Sequence, residues 1–524
     1  MRPTVRVTFT PAHRTVGVAP GTRLLDAAAA AGVVIVAPCG GRGACGRCAV
    51  RVIEGALAPP DEREQAALSR ARLRDDRVRL SCMATVEGDV TVHTLGTGRS
   101  AGRALTQTQR VSRVVAGVDL GTTTVAAQLV DADRRATIAA SSAPNRQACF
   151  GADVLSRLSA AQGGMTEDLR NAARTSVSEV LDGAMKSADV AVDRLERIVI
   201  AANTVMASLF AGAGIEGLTA HPFHHDLHGR ELLGVGVLRA PYEHVETVLV
   251  PPVAAFVGGD LTAGLMAEGL ASDADGVLYA DLGTNAEVAA FVGGRGVVAS
   301  APAGPAFEGW GIACGGQQGP GGLVAVRVED DAVLKPVFEG ESETHLTASG
   351  LISAVATLRR MGHLDEGGLM HAEGPLSERF FVVDDMHAVS LNNNPSDRSV
   401  YLSQLDVRAL QAAKAAVAVG LRVVAAEAGL GRHNLREVVV VGAFGGAVDA
   451  HDLVDLGILP GCAGSLTRAA PDAAVRGAAD IALDIVLMDD ARSIAGTVEL
   501  VDLAGRSAFT QEYIEAIALT PYDL

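Results

Sequence analysis

The first hundred residues show the two-residue alternation of apolar and polar side chains that is typical of half-buried strands. The pattern predicts strands at Val5–Phe9, Thr15–Val18, Ala49–Ile53 and Asp89–His93 and a helix at Thr22–Ala31. The first two strands are close enough in sequence to form a hairpin. This order of strands around one helix predicts a small β-grasp domain.

Strands and alanine-rich helices alternate along the chain beyond residue 113. Arg197–Ala201 and Val438–Val441 are strand-like apolar runs, and Gln404–Ala428 has the length and composition of a long helix. Ser403 and Asp406 form a capping-box pattern at the start of that helix. Such alternation predicts α/β layers.

The composition is that of a folded chain with several domains. The 524 residues include 48% hydrophobic and 20% charged residues, which is ordinary for a globular protein with large buried cores. A formal net charge of −17 disfavours binding to nucleic acid, because phosphate contacts require clustered lysine and arginine.

No secretion signal or membrane anchor is predicted. Residues 1–7 alternate like a strand and lack the charged-then-apolar layout of a signal peptide. The most apolar stretch, Leu24 to Pro38, contains Asp26 and is too short to span a bilayer. We therefore expect a cytoplasmic protein, in which structural disulfides are not expected.

Four of the seven cysteines lie in the first 82 residues. Cys39, Cys45 and Cys48 have the spacing Cys-x5-Cys-x2-Cys, and Cys82 follows after a long gap. Four thiolates complete the coordination of the two bridged irons of a 2Fe-2S cluster. Zinc is the alternative, but it normally takes two close cysteine pairs. The spacing favours the 2Fe-2S cluster, and its first gap of five residues resembles the adrenodoxin-like ferredoxins.

Three further cysteines stand alone in the sequence. Cys149, Cys314 and Cys462 are far from one another, and we expect them to be small buried side chains. No metal is assigned to them.

The tetrapeptide Asp-Leu-Gly-Thr occurs twice, at Asp119–Thr122 and Asp281–Thr284. Each copy follows a strand-like apolar run, which predicts a strand that ends in a tight turn. Glycine in such a turn lets the backbone approach a phosphate, threonine hydroxyls and backbone N–H groups donate to it, and the aspartate binds Mg²⁺. An ordinary hairpin is the alternative for either copy alone. The repetition favours two duplicated half-domains that bind one nucleotide.

Two other glycine-rich segments are candidate binding elements. Val441-Gly442-Ala443-Phe444-Gly445-Gly446 follows a strand, and its glycines would let the backbone pass close to a nucleoside. Gly258-Gly259-Asp260 places an acidic side chain at the start of a predicted helix. A solvent-exposed capping aspartate is the alternative interpretation of Asp260.

Taken in chain order, these motifs resemble the ATPase superfamily of sugar kinases, actin and heat-shock chaperones. In that superfamily phosphate loops in both halves are followed by a glycine-rich adenosine motif. The segment Gly259-Asp260-x-x-Ala263 is similar to the one that bears the catalytic acid of glycerol-type kinases. With the four-cysteine motif added, the chain resembles the reductive activators of corrinoid proteins over essentially its whole length.

The resemblance implies a multidomain chain of α/β and α+β structure. A β-grasp 2Fe-2S ferredoxin domain is expected at 1–96, and a polar segment at 97–113 is expected to be a linker. A duplicated ribonuclease-H-like (actin-like) ATPase fold follows, with its first half, the middle domain, at 114–270. The second half, the C-terminal domain, is expected at 271–524.

The resemblance also implies roles for the residues of the motifs. Asp119 and Asp281 are expected to organise Mg²⁺, and Asp260 is expected to orient the attacking water. The ATP phosphates are expected at Gly121, Thr122, Thr123, Thr124, Gly283, Thr284 and Asn285, and the adenosine at Gly442, Gly445 and Gly446. Cys39, Cys45, Cys48 and Cys82 are expected to hold the 2Fe-2S cluster.

The function that the family implies is ATP-dependent electron transfer to a corrinoid protein or methyltransferase. An upstream reductant would reduce the cluster, which would pass an electron to Co(II) and regenerate Co(I). The linker would let the ferredoxin domain move between its reductant and the corrinoid. The expected partners are proteins, without nucleic acid or membrane, and a homodimer is compatible with this interpretation.

Two other functions stay open from the sequence. Activators of radical dehydratases or aryl-CoA reductases share the ATPase fold, but they hold a four-iron cluster between two subunits. A redox-sensing chaperone-like ATPase would need a peptide-binding or polymerising region. Three segments with unassigned roles also resemble the corrinoid activators: Gly151–Arg157, Ala303–Gly309 and Asp406–Ala416. In contrast, Gly309–Gln318 is richer in glycine and glutamine than that family leads us to expect.

Overall fold

The computed structural model describes most of the chain and divides it into two compact units. The described residues are 4–10, 14–31, 33, 35, 48–70, 77–94, 111–151, 153–229, 231–270, 274–329, 333–442, 448–503 and 505–524. The first unit comprises Met1–Ala267 and Ala474–Ala495, and the second comprises Glu268–Ala473 and Gly496–Leu524. Cys39, Cys45, Gly445, Gly446 and most of the predicted linker lie outside the described residues.

The N-terminal part of the first unit is a mixed sheet with a helix packed on it. Its elements are β1 Val5–Thr10, β2 Arg14–Val18, α1 Leu24–Ala30, β3 Ala49–Leu57, α2 Glu62–Arg70, β4 Val78–Leu80 and β5 Val86–Thr94. The strand order is β2-β1-β5-β3-β4, in which β1 pairs antiparallel with β2 and parallel with β5. Leu24 on α1 shares a buried apolar core with Phe9 and Val92. The predicted β-grasp order of strands and helix is confirmed.

A second sheet in the first unit carries the first Asp-Leu-Gly-Thr motif. Its elements are β6 Val114–Leu120, β7 Thr124–Asp131, β8 Ala136–Pro144, α3 Val154–Ala160, α4 Thr166–Ala188, β9 Leu195–Ala202, α5 Thr204–Ala211, β10 Leu232–Gly234, β11 Glu246–Leu249 and α6 Gly259–Ala267. The strand order is β10-β11-β9-β6-β7-β8. Strands β6, β7 and β8 are antiparallel neighbours, whereas β6, β9 and β11 run parallel.

The second unit contains the corresponding sheet of the other half. Its elements are β12 Val277–Leu282, β13 Ala286–Val292, β14 Arg295–Ala301, β15 Gly322–Glu329, β16 Val333–Phe338, β17 His345–Leu346, α7 Ala348–Arg360, β18 Phe380–Val383, β19 Met386–Ser390, β20 Tyr401–Ser403, α8 Gln404–Ala428, β21 Glu437–Gly442, α9 Ala450–Asp455, β22 Thr467–Ala469, β23 Glu499–Leu500 and α12 Phe509–Glu515. Helices α10 Ala473–Leu483 and α11 Leu487–Thr497 lie almost entirely in the first unit. The main sheet has the order β22-β21-β12-β13-β14-β23.

The two large sheets share one topology. In each, three consecutive antiparallel strands are followed by a strand that pairs in parallel with the first of the three: β9 beside β6, and β21 beside β12. The turn after the first strand therefore occupies the same topological position in both halves. This agrees with the duplication that the repeated motif predicts.

Helix α8 is the long buried helix of the second unit. Its bounds, Gln404–Ala428, are those predicted from the sequence, and Ser403 and Asp406 form the predicted capping box. Among the described residues, α8 is the one helix that is long and apolar enough to cross a membrane. However, 78% of its most apolar 18-residue stretch is buried inside the protein. It packs as a core helix, with Val407, Leu410 and Val417 fully buried.

Candidate functional site

Two of the four cluster cysteines lie side by side in the ferredoxin domain. Cys48 precedes β3 and Cys82 follows β4, and the antiparallel pairing of these strands brings the two sulfurs within 3.2 Å. Both side chains are buried, at 1% and 3% exposure. The apolar side chains of Leu68, Val78 and Leu80 pack around them. Cys39 and Cys45 lie outside the described residues.

The surroundings of these cysteines fit a thiolate-bound cluster. The hydrogen bond with Cys82, together with burial, raises the pKa of the Cys48 thiol, because two close thiols resist losing both protons without a cation. The Ser81 N–H donates to the Cys48 carbonyl at 3.0 Å, and the buried Ser81 hydroxyl lies within reach of the Cys48 sulfur. A cluster would supply both the positive charge and an acceptor sulfur. No group of three or more described His, Cys, Asp or Glu side chains is arranged to hold a metal.

A buried ion pair anchors the strand that leads to Cys82. The Arg79 guanidinium donates through Nε and Nη2 to the two carboxylate oxygens of Glu64, at 2.9 and 2.8 Å. The backbone N–H of Leu80 donates to the same carboxylate at 2.9 Å. Since Glu64 is 2% exposed and Arg79 is 8% exposed, this bidentate pair fixes α2 against β4.

The first Asp-Leu-Gly-Thr motif forms the turn of the β6–β7 hairpin. Asp119 lies at the penultimate position of β6, and Thr124 begins β7. A Cβ atom on Gly121 would lie 2.6 Å from the Thr124 carbonyl oxygen, so only glycine fits this turn. The predicted strand followed by a tight turn is confirmed, whereas the roles assigned to Asp119, Gly121, Thr122, Thr123 and Thr124 stay predictions.

Three buried polar side chains from distant positions support this turn. Asn145 donates to the Gly121 carbonyl at 2.8 Å, and Asn203 donates to the Thr122 hydroxyl at 3.0 Å. Arg157 is fully buried and donates to the Thr122 carbonyl at 2.6 Å. The segment that contains Arg157 resembles the family in sequence, but its role was not predictable, because nothing local in the sequence connects Arg157 with Thr122.

Asp260 lies in the first turn of α6, close to the same hairpin turn. A Cβ atom on Gly258 would overlap Asn203 and would lie 2.6 Å from Asp260 Oδ1, so the glycine brings the start of α6 against the end of β9. The carboxylate accepts the Leu261 N–H at 2.9 Å. Burial raises the pKa of Asp260 to about 6. The alternative of a solvent-exposed capping aspartate is wrong, because the helix begins at Gly259 and the side chain is partly buried.

The second Asp-Leu-Gly-Thr motif forms the turn of the β12–β13 hairpin. Asp281 is the penultimate residue of β12, and Gly283, Thr284 and Asn285 connect the strands. Gly442 ends the parallel neighbour β21 directly beside Leu282. The structure thus places the second of the turns predicted to bind phosphate beside Gly442, the first glycine predicted to bind adenosine, at the carboxyl ends of adjacent parallel strands, where α/β sheets bind ligands.

Glu308 is a site residue that the sequence analysis did not identify. Its Oε1 atom accepts hydrogen bonds from both the backbone N–H and the hydroxyl of Thr284, each at 2.8 Å. Glu308 ends a short 3-10 helix at Pro305–Glu308, inside a segment that resembled the family without an assigned role. No spacing rule predicts a contact between residues this far apart in the chain.

An open polar groove of about 610 Å³ lies beside the chain that follows the adenosine motif. Its lining residues are Ala325, Val326, Arg327, Val328, Ser353, Thr357, Arg360, Val448, Asp449 and Asp452. Arg360 donates to Asp452 at 2.7 Å and to Asp455 at 2.9 Å. Burial raises the pKa of Asp452, although the guanidinium of Arg360 opposes that effect.

The isolated cysteines are less buried than expected. Cys149 is exposed, and its thiol lies 2.6 Å from the Arg146 carbonyl oxygen, whereas Cys314 and Cys462 are partly buried. The prediction of small buried residues is therefore wrong for Cys149. It is the last residue of a short 3-10 helix, Arg146–Cys149, and composition and spacing do not reveal its exposure.

Three family models match consecutive stretches of the chain. They are a 2Fe-2S iron-sulfur cluster binding domain at residues 7–87, the RACo middle region at 114–273, and the C-terminal domain of RACo, the ASKHA domain, at 275–524. The two RACo models together match most of the chain. These matches confirm the predicted fold class, with a ferredoxin domain followed by an actin-like and sugar-kinase-like fold.

Individual relatives agree with the family matches. The corrinoid activation enzyme RamQ of Eubacterium limosum is 30% identical over 373 residues, which are 69% of this chain and 62% of the relative. A [Co(II) methylated amine-specific corrinoid protein] reductase of Methanosarcina barkeri is 24% identical over 364 residues, which are 62% of this chain and 63% of the relative. The chain thus spans just under two thirds of the length of both relatives.

A solved structure has the same fold over nearly the whole chain. It is a reductive activator for corrinoid,iron-sulfur protein, and it covers 98% of this chain and 98% of its own with a TM-score of 0.71. The two sequences are 22% identical, so the comparison establishes the arrangement of elements and leaves individual residue roles as predictions.

Proposed function

Since this chain belongs to the RACo family of reductive activators of corrinoid proteins, we propose that it reduces Co(II) of a partner corrinoid protein to Co(I) at the expense of ATP. One electron leaves a reduced 2Fe-2S cluster and enters the cobalt, and an upstream reductant then reduces the cluster again. The observation that carries the proposal is the union of a 2Fe-2S domain and an ASKHA domain in one chain. A simple electron carrier has no need of the second domain.

The ferredoxin domain is the electron donor in this proposal. Cys39, Cys45, Cys48 and Cys82 would hold the cluster, which supplies one-electron chemistry when bound. The burial of Cys48 and Cys82, 3.2 Å apart, supports this assignment for two of the four ligands. The apolar residues around them keep water away from the ligand sulfurs, which is one way in which proteins set a cluster potential.

Each half of the ATPase fold would contribute one phosphate loop. Asp119 and Asp281 would organise Mg²⁺, and Thr122–Thr124 and Thr284–Asn285 would bind the phosphates through hydroxyl and backbone N–H groups. The adenosine would lie at Gly442, Gly445 and Gly446. The identical topological position of the two turns supports a shared role.

Asp260 would orient the water that attacks the terminal phosphate. A carboxylate with a pKa of about 6 is ionised at neutral pH and yet more basic than an exposed aspartate, as a general base requires. Gly258 lies against both Asp260 and Asn203, and the Asn203 amide donates to the Thr122 hydroxyl, so the acid lies near the first of these loops.

Energy from ATP is needed because the electron transfer is uphill. A plant-type 2Fe-2S centre has a reduction potential of about −400 mV, and Co(II) with an axial base is generally harder to reduce. Each ~59 mV of gap costs tenfold in the equilibrium of a one-electron transfer. Nucleotide binding and hydrolysis would offset the gap by favouring a complex in which the cobalt has lost its lower ligand.

The partner would be a corrinoid protein or a corrinoid-dependent methyltransferase in the cytoplasm, and the chain would work as a monomer or homodimer. The two relatives are named for corrinoid activation and for reduction of a Co(II) corrinoid protein, which supports this substrate class. Activation of a radical dehydratase is disfavoured by the separate 2Fe-2S domain. Neither of these two relatives is named for a chaperone role.

The ATPase activity provides a direct test of the partner. We predict that hydrolysis of Mg-ATP rises severalfold with the Co(II) form of a corrinoid methyltransferase but not with its methylated form. Asp119→Ala and Asp281→Ala should each abolish the activity while leaving the visible spectrum of the cluster intact. Stimulation by unfolded peptide in place of the corrinoid protein would support the chaperone function and contradict the proposal.

A further inference from the structure

The carboxylate of Glu308 lies on the second phosphate turn. The N–H and hydroxyl groups of Thr284 both donate to Glu308 Oε1 at 2.8 Å. A Cβ atom on Gly283 would lie 3.5 Å from the same oxygen, so the carboxylate covers the backbone of the turn. One anionic oxygen therefore occupies the two donors that the turn would offer to a phosphate.

The fold holds Glu308 in this position from both sides. The turn of Pro305–Glu308 begins after Gly304 and ends at Gly309, which have φ angles of +77° and +74°. The Gly304 N–H donates to the Thr284 carbonyl at 2.8 Å, and the neighbouring Phe307 is fully buried. The contact of Glu308 with Thr284 is thus built into the packing of the second unit.

We propose that Glu308 is an internal substitute for a nucleotide phosphate. Its carboxylate satisfies the Thr284 donors in the nucleotide-free protein and leaves them when Mg-ATP binds. A phosphate oxygen requires the same two donors, and two anions do not share them favourably at this distance. The inference rests on the proposed nucleotide site and adds the residue that competes for it.

Displacement of Glu308 would move the segment that follows it. Trp310 N–H donates to the Pro305 carbonyl at 3.0 Å, and Ala313 N–H donates at 2.7 Å to Asp406, the capping residue of α8. The segment therefore connects the phosphate turn with the start of the long core helix. The indole N–H of Trp310 is buried without an acceptor among the described residues. A rearrangement that gave this N–H an acceptor would therefore be favourable.

Trp310 also reports on the movement, because it is the single tryptophan of the chain. Titration of the full protein with Mg-ATP should change the tryptophan emission. Adenosine, which has no phosphate to displace Glu308, should leave the emission unchanged.

The decisive variants change the charge or the reach of the carboxylate. Glu308→Gln should bind Mg-ATP about tenfold more tightly than the wild type, because a hydrogen bond to a neutral group is weaker than one to a charged group. Glu308→Asp keeps the charge but shortens the side chain, and it should also bind more tightly. Glu341→Gln removes the same charge at an exposed position of the same unit and should leave the affinity unchanged.

Two outcomes would overturn the proposal. One is equal or weaker binding of Mg-ATP by folded Glu308→Gln, measured by calorimetry and by Trp310 emission. The other is unchanged affinity with hydrolysis slowed by ~10² or more, which would make Glu308 a general base.

The same experiment separates this inference from the proposed function. Tighter binding by Glu308→Gln without any reduction of cobalt would support Glu308 as the competitor and contradict the corrinoid role. ATP-dependent reduction of cobalt, together with equal affinity of Glu308→Gln and the wild type for Mg-ATP, would support the corrinoid role and contradict Glu308 as the competitor.

Discussion

At the scale of single residues, Asp260 gives the site its pH dependence. Burial raises the pKa of its carboxyl to about 6, so the general base that we assign becomes protonated below that pH. We predict that the rate of ATP hydrolysis falls as the pH drops through about 6. Asp260→Asn should keep its affinity for ATP, lose ~10² to 10⁴ in rate and show no such pH dependence. Stopped assays between pH 5 and 8 measure both effects.

The stability of Asp260→Asn tests the raised pKa of Asp260 independently of its proposed role in hydrolysis. Because the folded protein binds this proton more tightly than the unfolded chain, Asp260 stabilises the fold fully below about pH 4. That contribution is lost as the pH rises through about 6. The free energy of unfolding of Asp260→Asn should therefore exceed that of the wild type by ~1–3 kcal/mol at pH 7.5 and should be similar to it at pH 4. A difference independent of pH would contradict the assigned pKa.

The cluster ligands give a second prediction at this scale. Cys82→Ser should weaken or abolish the cluster, because the buried Cys82 sulfur lies 3.2 Å from that of Cys48. Cys462→Ser, a matched change outside the ferredoxin domain, should leave two irons per chain. Iron and sulfide analysis with electron paramagnetic resonance of the reduced protein measures the outcome. Zinc, or four irons per chain, would rule out the 2Fe-2S assignment.

Residues were predictable where the chemistry depends on local sequence. The two Asp-Leu-Gly-Thr turns and the cysteine spacing are short motifs, so they are visible without a structure. Glu308, Asn203 and Arg157 were not assigned, because their partners in the turns are distant in the chain and only the fold brings them together. Glutamate, asparagine and arginine are common residues, so their identity alone does not mark these positions as part of a site.

At the scale of elements, one buried ion pair joins α2 to β4 beside the cluster ligands. Arg79→Met should destabilise the ferredoxin domain by ~3–5 kcal/mol, because it leaves the buried Glu64 carboxylate without its cation. Adding Glu64→Gln should restore much of the loss. Arg6→Met removes an exposed pair with Asp89 and should cost far less stability, because solvent screens that pair.

Thermal unfolding followed at the visible absorbance of the cluster measures these changes. Equal losses of stability in Arg79→Met and Arg6→Met would mean that burial does not determine how much an ion pair stabilises this domain.

Elements were predicted best where the sequence marks their ends. Helix α8 begins and ends at the predicted residues because the Ser403 and Asp406 cap is a local signal and Gly429 ends the helix with a φ of +76°. Strand β3 is longer than predicted, because shifts of register around Gly55 interrupt the alternation of side chains. Helix α10 packs closely on β6 at Gly117, a contact between distant segments that periodicity does not report.

At the scale of the whole molecule, the chain combines a 2Fe-2S ferredoxin domain with a duplicated ASKHA fold. The repeated Asp-Leu-Gly-Thr motif predicts the duplication, and the matching strand order of the two large sheets agrees with it. The assignment of Ala474–Ala495 to the first unit was not predictable, because those helices are distant in sequence from the rest of that unit. The proposed coupling requires both parts in one protein, so neither part alone would explain the function.

The most direct test is to follow the cobalt spectrum of a corrinoid methyltransferase mixed with the chemically reduced protein. The account predicts that Co(I) forms only when both Mg-ATP and an intact cluster are present, and that Asp119→Ala and Cys82→Ser each prevent it. Equal rates of cobalt reduction with and without ATP would contradict the coupling of electron transfer to the nucleotide.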